Sequence, residues 1–544
     1  MALQPGNTRI FAGGPILTME GDPGTAEAVA ISNGKILARG DLASVTARAG
    51  AGCPTVDLDG RTLMPGFVDG HGHITGVARA LDEANLAVPP IGSVDSIPRL
   101  MDELRSFIDA QRVPARGWVV GRGYDPAFMA EERHPTRHDL DAVSVDHPIL
   151  VRHVSGHLAA ANTAALGAAG CDARTADPPG GVIRREPDGS PDGVLEESAM
   201  AVVASAMPPA SPESDRRQLL AAQRLYAENG ITTAQEGALF AAAAGMLERA
   251  ASAGELEIDV VAYPFWAAAE RVLEGREIGT YHSRLKYGGM KLMLDGSPQG
   301  KTAWLTRPYH AVPEGLPRDY CGYPAMDAER ATAAARLAFE RGWQVICHCN
   351  GDAAADQFIA VIETIAGGVS AGGRRPVMIH AQTVREDQLD AMARLGILPS
   401  FFASHVHYWG DYHRDSVLGP ERAARISPLA SAARRGLRFN LHNDSPVTPP
   451  DIFRLIASAV TRRTSSGATL GPEQRVDVSR ALRAVTIDAA YAHFEEDRKG
   501  SITPGKLADF VFVDRDPTAV AEEEIAGIRV LETIKEGRTV YRAD

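Results

Sequence analysis

The chain has 544 residues, 44% of them hydrophobic and 23% charged, with a formal net charge of −13. That length holds a large barrel with accessory parts; the acidic balance argues against nucleic-acid binding, which needs a basic face, and no apolar run approaches the ~20 residues that span a bilayer. Five cysteines, an odd number, do not make a disulfide framework, and the N-terminal "MALQPGNTRIFAGGP" lacks a basic region leading into an apolar core, so a reducing cytoplasm is the expected compartment.

The predicted elements begin with short strands. "TRIFAGGPILTM", "AVAISNGKILARG" and "PTVDLDGRTLMPG" are β-rich, with "NGK" and "DG" as hairpin signals. Pro65 and Gly66 mark the passage into a second pattern. Apolar strands now alternate with helices such as "RRQLLAAQRLYAENG" and "DAERATAAARLAFERG", which predicts βα units on a parallel sheet. The strand candidates are "TLMPGFVDGHGH", "ITTAQEG", "IDVVAYPFW", "GGMKLMLDG", "WQVICHCNGD", "PVMIHAQTV", "GILPSFFAS" and "LRFNLHNDSP". Such a series predicts an α/β fold, a (β/α)8 TIM-type barrel. Residues 76–209 separate the first two strands. That is far beyond a normal βα connection, so they predict an inserted α/β subdomain. The C-terminal "GSITPGKLADFVFVDRDP" and "VLETIKEGRTVYR" return to strands and turns. Small β segments at opposite ends commonly form one domain. The expected division is a β-sandwich from 1–64 and 495–544, a barrel from 65–75 and 210–494, and the insertion 76–209.

Chemistry in such barrels sits where strands end. The first candidate strand ends in His71-Gly72-His73; the fourth carries Lys291, the fifth His348, the sixth His380 and the eighth Asp444. Residues i and i+2 of a strand face the same side, so His71 and His73 can hold one ion together. Imidazoles with a carboxylate suit zinc and related divalent ions. A single strand-end histidine is more commonly a packed core residue; the ordered set on separate strands points to a site. Cys347 and Cys349 flank His348 and on a strand point away from it, as buried apolar-like residues. Lys291 lies among apolar residues, where a bare cation is costly. It can pair with Asp295 four residues on, serve as a Schiff-base nucleophile, or take up carbon dioxide as a carbamate that bridges two ions. The carbamate makes use of every ligand in the set, which exceeds what one catalytic ion needs.

"PGFVDGHGH", the strand lysine, "HCNGDAAAD", "IHAQTV", "NDSPVTPPD" and "KGSITPGKLADFVFVDRDP" together resemble the amidohydrolase superfamily. "DGSPQGKTAWLTRPYH", "HPTRHDLDAV", "SGHLAAANTAAL" and "HVHYWGD" narrow the resemblance to its YtcJ-like branch, which includes N-substituted formamide deformylase. The resemblance spans essentially the whole chain. It implies that His71, His73 and Asp444 bind one metal ion and His348 and His380 a second, with carbamylated Lys291 bridging them. Zinc is the expected ion. It further implies hydrolysis of a C–N bond in an amide, formamide or cyclic amide, by hydroxide that the two ions supply near neutral pH. Asp444 is then the general base that passes a proton to the leaving amine.

His405 matches a histidine typical of the branch. It, or His157 from the insertion, is a candidate to stabilise the oxyanion, with a structural hydrogen bond as the alternative role. Glu197 is another polar residue that the branch singles out, or else a solvated charge. Tyr124, Phe128, Trp304, Tyr309, Tyr408 and Trp409 lie on segments predicted near strand ends, where an aromatic lining suits an apolar amide substituent; loop packing is their alternative fate. The expected partner is a small-molecule amide, and the expected assembly a homodimer. Two other enzymes stay open, a mononuclear deaminase, which does without the bridging lysine, and an ester or lactone hydrolase. A catalytically dead scaffold is a third alternative, against which every ligand position is filled.

Overall fold

In the computed structural model, which describes residues 8–21, 24–50, 52–154, 158–208, 211–313 and 315–544, the β-rich ends of the chain meet in one eight-stranded sheet. Its order is Arg538–Arg542, Val530–Lys535, Phe510–Val513, Thr62–Pro65, Arg9–Leu17, Thr25–Ser32 and Lys35–Gly40, with Thr55–Asp57 beside Arg9–Leu17. Asn33 and Gly34 take φ values of 51° and 75° in the hairpin between the last two strands, as an Asn-Gly turn requires. The sheet curls back on itself: Lys35 and Leu507 form an antiparallel bridge, and Ala508 N donates to Gly34 O. The enclosed core holds Val29, Leu63, Ile534 and three phenylalanines, with Phe11 edge-on to Phe510 and Phe512 at 6.0 and 5.7 Å.

The apolar runs between the ends all contain strands, in two further five-stranded sheets. One carries Phe67–Val68, Ile231–Leu239, Asp259–Pro264 and Leu285–Tyr287 in parallel, with Tyr281–His282 antiparallel at its edge. The other is wholly parallel: Gly289–Met293, Gln344–Cys349, Val377–His380, Leu398–Phe401 and Asn440–Leu441. These strands are apolar almost throughout because helices cover them, and Ala328–Glu340, capped by Asp327, buries Ala331, Ala335 and Ala338 along one stripe. Only Gly288 separates the last parallel strand of the first sheet from the first strand of the second. A Cβ on Gly289 would lie 2.0 Å from Gln344 O, so the crossing needs glycine. A parallel bridge joins Phe265 to Lys291 across the two sheets. At the opposite margins Asp444 N donates to His71 O over 3.2 Å and His73 N to Ser445 O over 2.8 Å.

Residues up to Thr75 and Leu219–Asp544 form one compact unit, and Gly76–Gln218 a second. The second has its own six-stranded sheet, in the order Gly181–Arg185, Pro191–Glu197, Leu158–Ala161, Ile149–His153, Val119–Tyr124 and Ala84–Asn85. The helix Ile97–Gln111, capped by Ser96, lays Leu100 and Leu104 against Leu86, Val119 and Ile149. No described helix is long and apolar enough to cross a membrane.

A buried ion network ties the terminal sheet to the parallel strands. Lys535 Nζ lies 2.9 Å from both Asp259 Oδ2 and Asp509 Oδ2. Lys499 Nζ contacts Asp259 and sits 2.8 Å from Glu495 Oε2, and Lys286 pairs with Glu495 as well. Burial would raise the Glu495 carboxyl, but Lys499 and Lys286 outweigh it and hold it at about 2. The unfolded carboxyl titrates near 4.3. Its folded value is the lower one, so its contribution is fully present above about pH 4.3 and is lost as pH falls through about 2. Breaking a buried pair by removing one partner costs roughly 3–5 kcal/mol. Glu495→Gln is therefore expected to lower the thermal midpoint at pH 7 and to flatten its fall towards pH 2. Parallel wild-type and variant profiles would show that the pair contributes nothing.

Candidate metal centre

The first strand's ladder stops at Val68 and the last at Leu441, so His71, His73 and Asp444 stand in the turns beyond, not on strands as predicted. Backbone bonds still carry the geometry onward: Asp69 N donates to Thr233 O and Gly237 N to Gly72 O. The His71 and His73 rings lie 5.1 Å apart. Asp444 and His380 adopt φ values of 52° and 72°. For non-glycine residues this is strained backbone of the kind held at functional sites.

The side chains converge. His73 Nε2 is 3.2 Å and His71 Nε2 3.6 Å from Asp444 Oδ1, and His380 Nε2 is 3.9 Å from Asp444 Oδ2. Lys291 Nζ is 3.0 Å from His71 Nε2. His380 Nε2 and His348 Nδ1 face each other at 3.0 Å. All of the predicted ligands are thus drawn together from turns and strands far apart in the chain. Lys291 is not paired with Asp295. That carboxylate instead accepts from the backbone N–H groups of Trp304, Asn350 and Gly351 at 2.7–3.0 Å, which uses its charge to tie down loops. Burial pushes the Asp295 carboxyl up to about 7.

Each imidazole is backed by an outer partner. His71 Nδ1 is 2.6 Å from Gln235 Oε1, an acceptor, so its proton sits there and Nε2 is left as a lone pair turned inward. Gln235 Nε2 donates to Gly70 O, which fixes the amide. The His71 ring fits because residue 237 is glycine, where a Cβ would meet ring carbon Cε1 at 2.2 Å. His73 Nδ1 is 3.5 Å from Glu236 Oε1, and Glu236 Oε2 accepts from Thr75 N and Oγ1. His348 Nε2 is 2.9 Å from Gly296 O, so its inward atom is Nδ1. His442, two residues before Asp444, backs His380. Neither Gln235, Glu236 nor His442 was singled out from the sequence. The signal available for His442 was the same i, i+2 spacing that marks His71 and His73.

Charge follows position. Burial, then the Lys291 cation, holds the His71 imidazole well below its usual range, and the same two causes bring His348 down to about 4. Both are neutral, the ligating form, at pH 7. Burial disfavours the His73 cation too, but the Asp444 and Glu236 carboxylates outweigh it and push it up to about 9. Burial would raise the Asp444 carboxyl; His73, His71 and His380 around it hold it well below the usual carboxylate range.

The remaining predicted residues are spread more widely. His405 is buried at the start of the helix His405–Tyr412, its Nδ1 3.0 Å from His413 Nε2, with Phe402 and Trp409 each 4.5 Å from its ring. Among the described contacts its hydrogen bond runs to His413, and Trp409 packs on it. Trp304 is half-buried, and its backbone N–H is held by Asp295; Tyr408 is half-buried beside His407. Tyr309 was expected in a pocket wall but is 3% exposed, stacked on Tyr320, with its hydroxyl donated to Ala303 O. So little of the ring is exposed that it offers no open face to a ligand. Tyr124 is likewise fully buried in the second unit's core, 3.1 Å from His134 Nδ1. In that unit Phe128 is 49% exposed and Glu197 is exposed, with φ 49° at a strand end. His157 lies outside the described residues.

A family model described as "Amidohydrolase family" matches residues 54–541. The chain is 28% identical to "Putative amidohydrolase YtcJ" of Bacillus subtilis over 98% of its length and 99% of that protein's. It is 27% identical to the N-substituted formamide deformylase of Arthrobacter pascens, over 97% of each. Its fold is shared with the crystal structure of an uncharacterized metal-dependent hydrolase from Pyrococcus horikoshii, with a TM-score of 0.77 at 24% identity, covering 95% of this chain and 99% of the other.

Proposed function

The chain belongs to the amidohydrolase family, and on that premise we propose that it is a metal-dependent hydrolase of C–N bonds in small amides of the N-substituted formamide, N-acyl or cyclic type. The observation that carries this reading is the meeting of His71, His73 and Asp444 within 4.8 Å of one another, with Lys291 Nζ 3.0 Å from His71. The two parallel sheets are taken as the two arcs of one (β/α)8 barrel. Its seams are the Phe265–Lys291 bridge and the hydrogen bonds of His71 and His73 with Asp444 and Ser445.

The residues fit a divalent ion. Asp444 Oδ1 is buried without a hydrogen-bond partner, although His73 Nε2 is 3.2 Å away; the pair is close but not aligned as a hydrogen bond. A buried carboxylate oxygen left in this way is costly unless a cation meets it. In this reading His71, His73 and Asp444 would hold one zinc ion and His348 and His380 a second, and Lys291, as a carbamate, would supply a further ligand to the pair. When bound, such ions lower the pKa of a water and polarise the substrate carbonyl.

The chain's own groups then manage protons and shape. Asp444 takes a proton from the attacking water as the carbonyl carbon gains its new C–O bond. It returns that proton to the nitrogen as the C–N bond breaks, so that an amine leaves and a carboxylic acid remains. Gln235 and Glu236 hold His71 and His73 in place throughout. His405 is the candidate to steady the carbonyl oxygen. The name of the Arthrobacter relative favours a formyl group as the acyl part.

A screen of N-formyl and N-acyl amines with zinc-loaded protein, reading released amine, tests this. Formamides are expected to be cleaved. Dialysis against a chelator is expected to lower the rate by roughly a hundredfold or more, because the Lewis-acid contribution is several kcal/mol, and zinc to restore it. Hydrolysis of esters or lactones alone, or turnover indifferent to chelation, would sink the proposal.

A further inference from the structure

Beside His380 a further imidazole, outside the predicted ligand set, is enclosed in the centre. His442 is 1% exposed, directly after the Asn440–Leu441 strand, and its backbone N–H donates to Phe401 O. Its Nε2 lies 3.2 Å from His380 Nδ1 and its Nδ1 2.8 Å from Ser400 Oγ. Its two ring nitrogens face His380 and Ser400. We propose that His442, anchored by Ser400, is a positioning residue that holds His380 in the tautomer and orientation a metal ion requires.

A row of contacts runs Ser400 Oγ, His442, His380, His348, Gly296 O, at 2.8, 3.2, 3.0 and 2.9 Å in turn. At its far end His348 Nε2 lies 2.9 Å from Gly296 O, which only accepts, and 3.0 Å from Asn350 Nδ2, whose own hydrogen is donated to Gly296 O over 2.8 Å. His348 therefore keeps its proton on Nε2 and turns a lone pair at Nδ1 towards His380. Without a cation the contact at 3.0 Å between His348 Nδ1 and His380 Nε2 needs a proton, which His380 supplies from Nε2. His380 Nδ1 then accepts from His442 Nε2, and His442 Nδ1 accepts from the Ser400 hydroxyl. For both inward nitrogens to bind an ion, His380 must carry its proton on Nδ1 instead. It can do so only if His442 Nε2 accepts that proton's hydrogen bond, which places the His442 proton on Nδ1 against Ser400 Oγ. The whole row reverses with no net gain or loss of protons. An imidazole can do this because each of its nitrogens serves as donor or acceptor in turn. A side chain that cannot accept leaves His380 N–H unpaired in a buried site, a penalty that falls on the loaded state alone.

The inference rests on the reading of His380 as a ligand, and the test separates the two. Metal-stripped wild type, His442→Leu, His442→Gln and Ser400→Ala would be titrated with Zn2+ by equilibrium dialysis, with thermal midpoints as a check on folding. Outer partners of this kind are worth roughly 10–100-fold in metal affinity. His442→Leu is expected to weaken one Zn2+ by about that factor and leave the other within a few-fold. Gln, whose side-chain oxygen still accepts from His380 Nδ1, is expected to stay close to wild type, and Ser400→Ala to fall between. Equal losses in the Leu and Gln variants would reduce His442 to a packing role and overturn the inference. So would two ions bound with unchanged affinity in every variant, which leaves the two-ion centre standing. A wild type that binds a single Zn2+, weakened in His442→Leu, would remove the two-ion centre and keep the role of His442. If the Leu variant does not fold, an unweakened Ser400→Ala overturns the inference.

Discussion

Lys291→Ala is expected to lose most of its bound metal and nearly all turnover. Lys291 is 3% exposed, and among the described contacts its amine meets no carboxylate at ion-pair distance but lies 3.0 Å from a histidine nitrogen. Burial, only partly offset by the Asp444 charge, pushes its pKa down to about 8. A substantial neutral fraction is then present in mildly alkaline solution, and the neutral amine is the form that adds carbon dioxide. Carbamylation would turn a destabilising buried cation into an anion that two metal ions neutralise, which removes the desolvation problem of a bare lysine there. Alanine supplies no bridge and opens a void among the ligands. With the Lewis-acid contribution worth several kcal/mol, and each 1.36 kcal/mol worth tenfold, turnover should fall by about three decades or more. Lys291→Arg keeps a cation but cannot form the carbamate, and is expected to be just as inactive. Metal content by elemental analysis and released amine together decide the matter. Full activity in either variant would end the carbamate-bridge proposal, and a borohydride-trapped adduct of Lys291 with a carbonyl substrate would favour a Schiff base.

Asp444→Asn should separate metal binding from proton transfer. The amide preserves size and one oxygen, so partial metal retention is expected, while the group that carries the proton is lost. General acid–base catalysis contributes typically 10²–10⁴-fold, and the chemical step should slow within that range. His73, His71 and His380 hold the Asp444 carboxyl far below the usual range against the opposing effect of burial. The group is thus ionised near neutral pH. Single-turnover rates on zinc-loaded protein isolate this step from binding and release. A wild-type single-turnover rate would remove Asp444 from the mechanism.

Much of the parallel core was legible because it follows from local pattern. "QVICHC" and "VMIH" are apolar on both faces, and strands covered by helices on one side and packed inside on the other must be. The "NGK" hairpin could be read because few residues other than Asn and Gly tolerate two successive left-handed positions. The candidate ligands stood out because imidazole, amine and carboxylate are costly at apolar strand ends and imply a compensating partner. The ends of the strands were not legible: the ladders stop at Val68 and Leu441, where the backbone must turn to aim His71 and Asp444 inward.

The sequence by itself determined which residue types stand at the centre, the order in which strands deliver them, and the family they signal. Only the tertiary structure decided which atoms face inward. Gln235, Glu236, Gly296 and His442 set the proton position on His71, His73, His348 and His380, yet each except Gly296 is polar in a way common on any protein surface. Tyr309 and Tyr124 illustrate the same limit from the other side. An aromatic ring gains comparable burial from a core or from a ligand, so its sequence position does not say which. Identity is a property of one residue and is written in the chain; partnership is a property of two, and it exists only once folding has closed the distance between them.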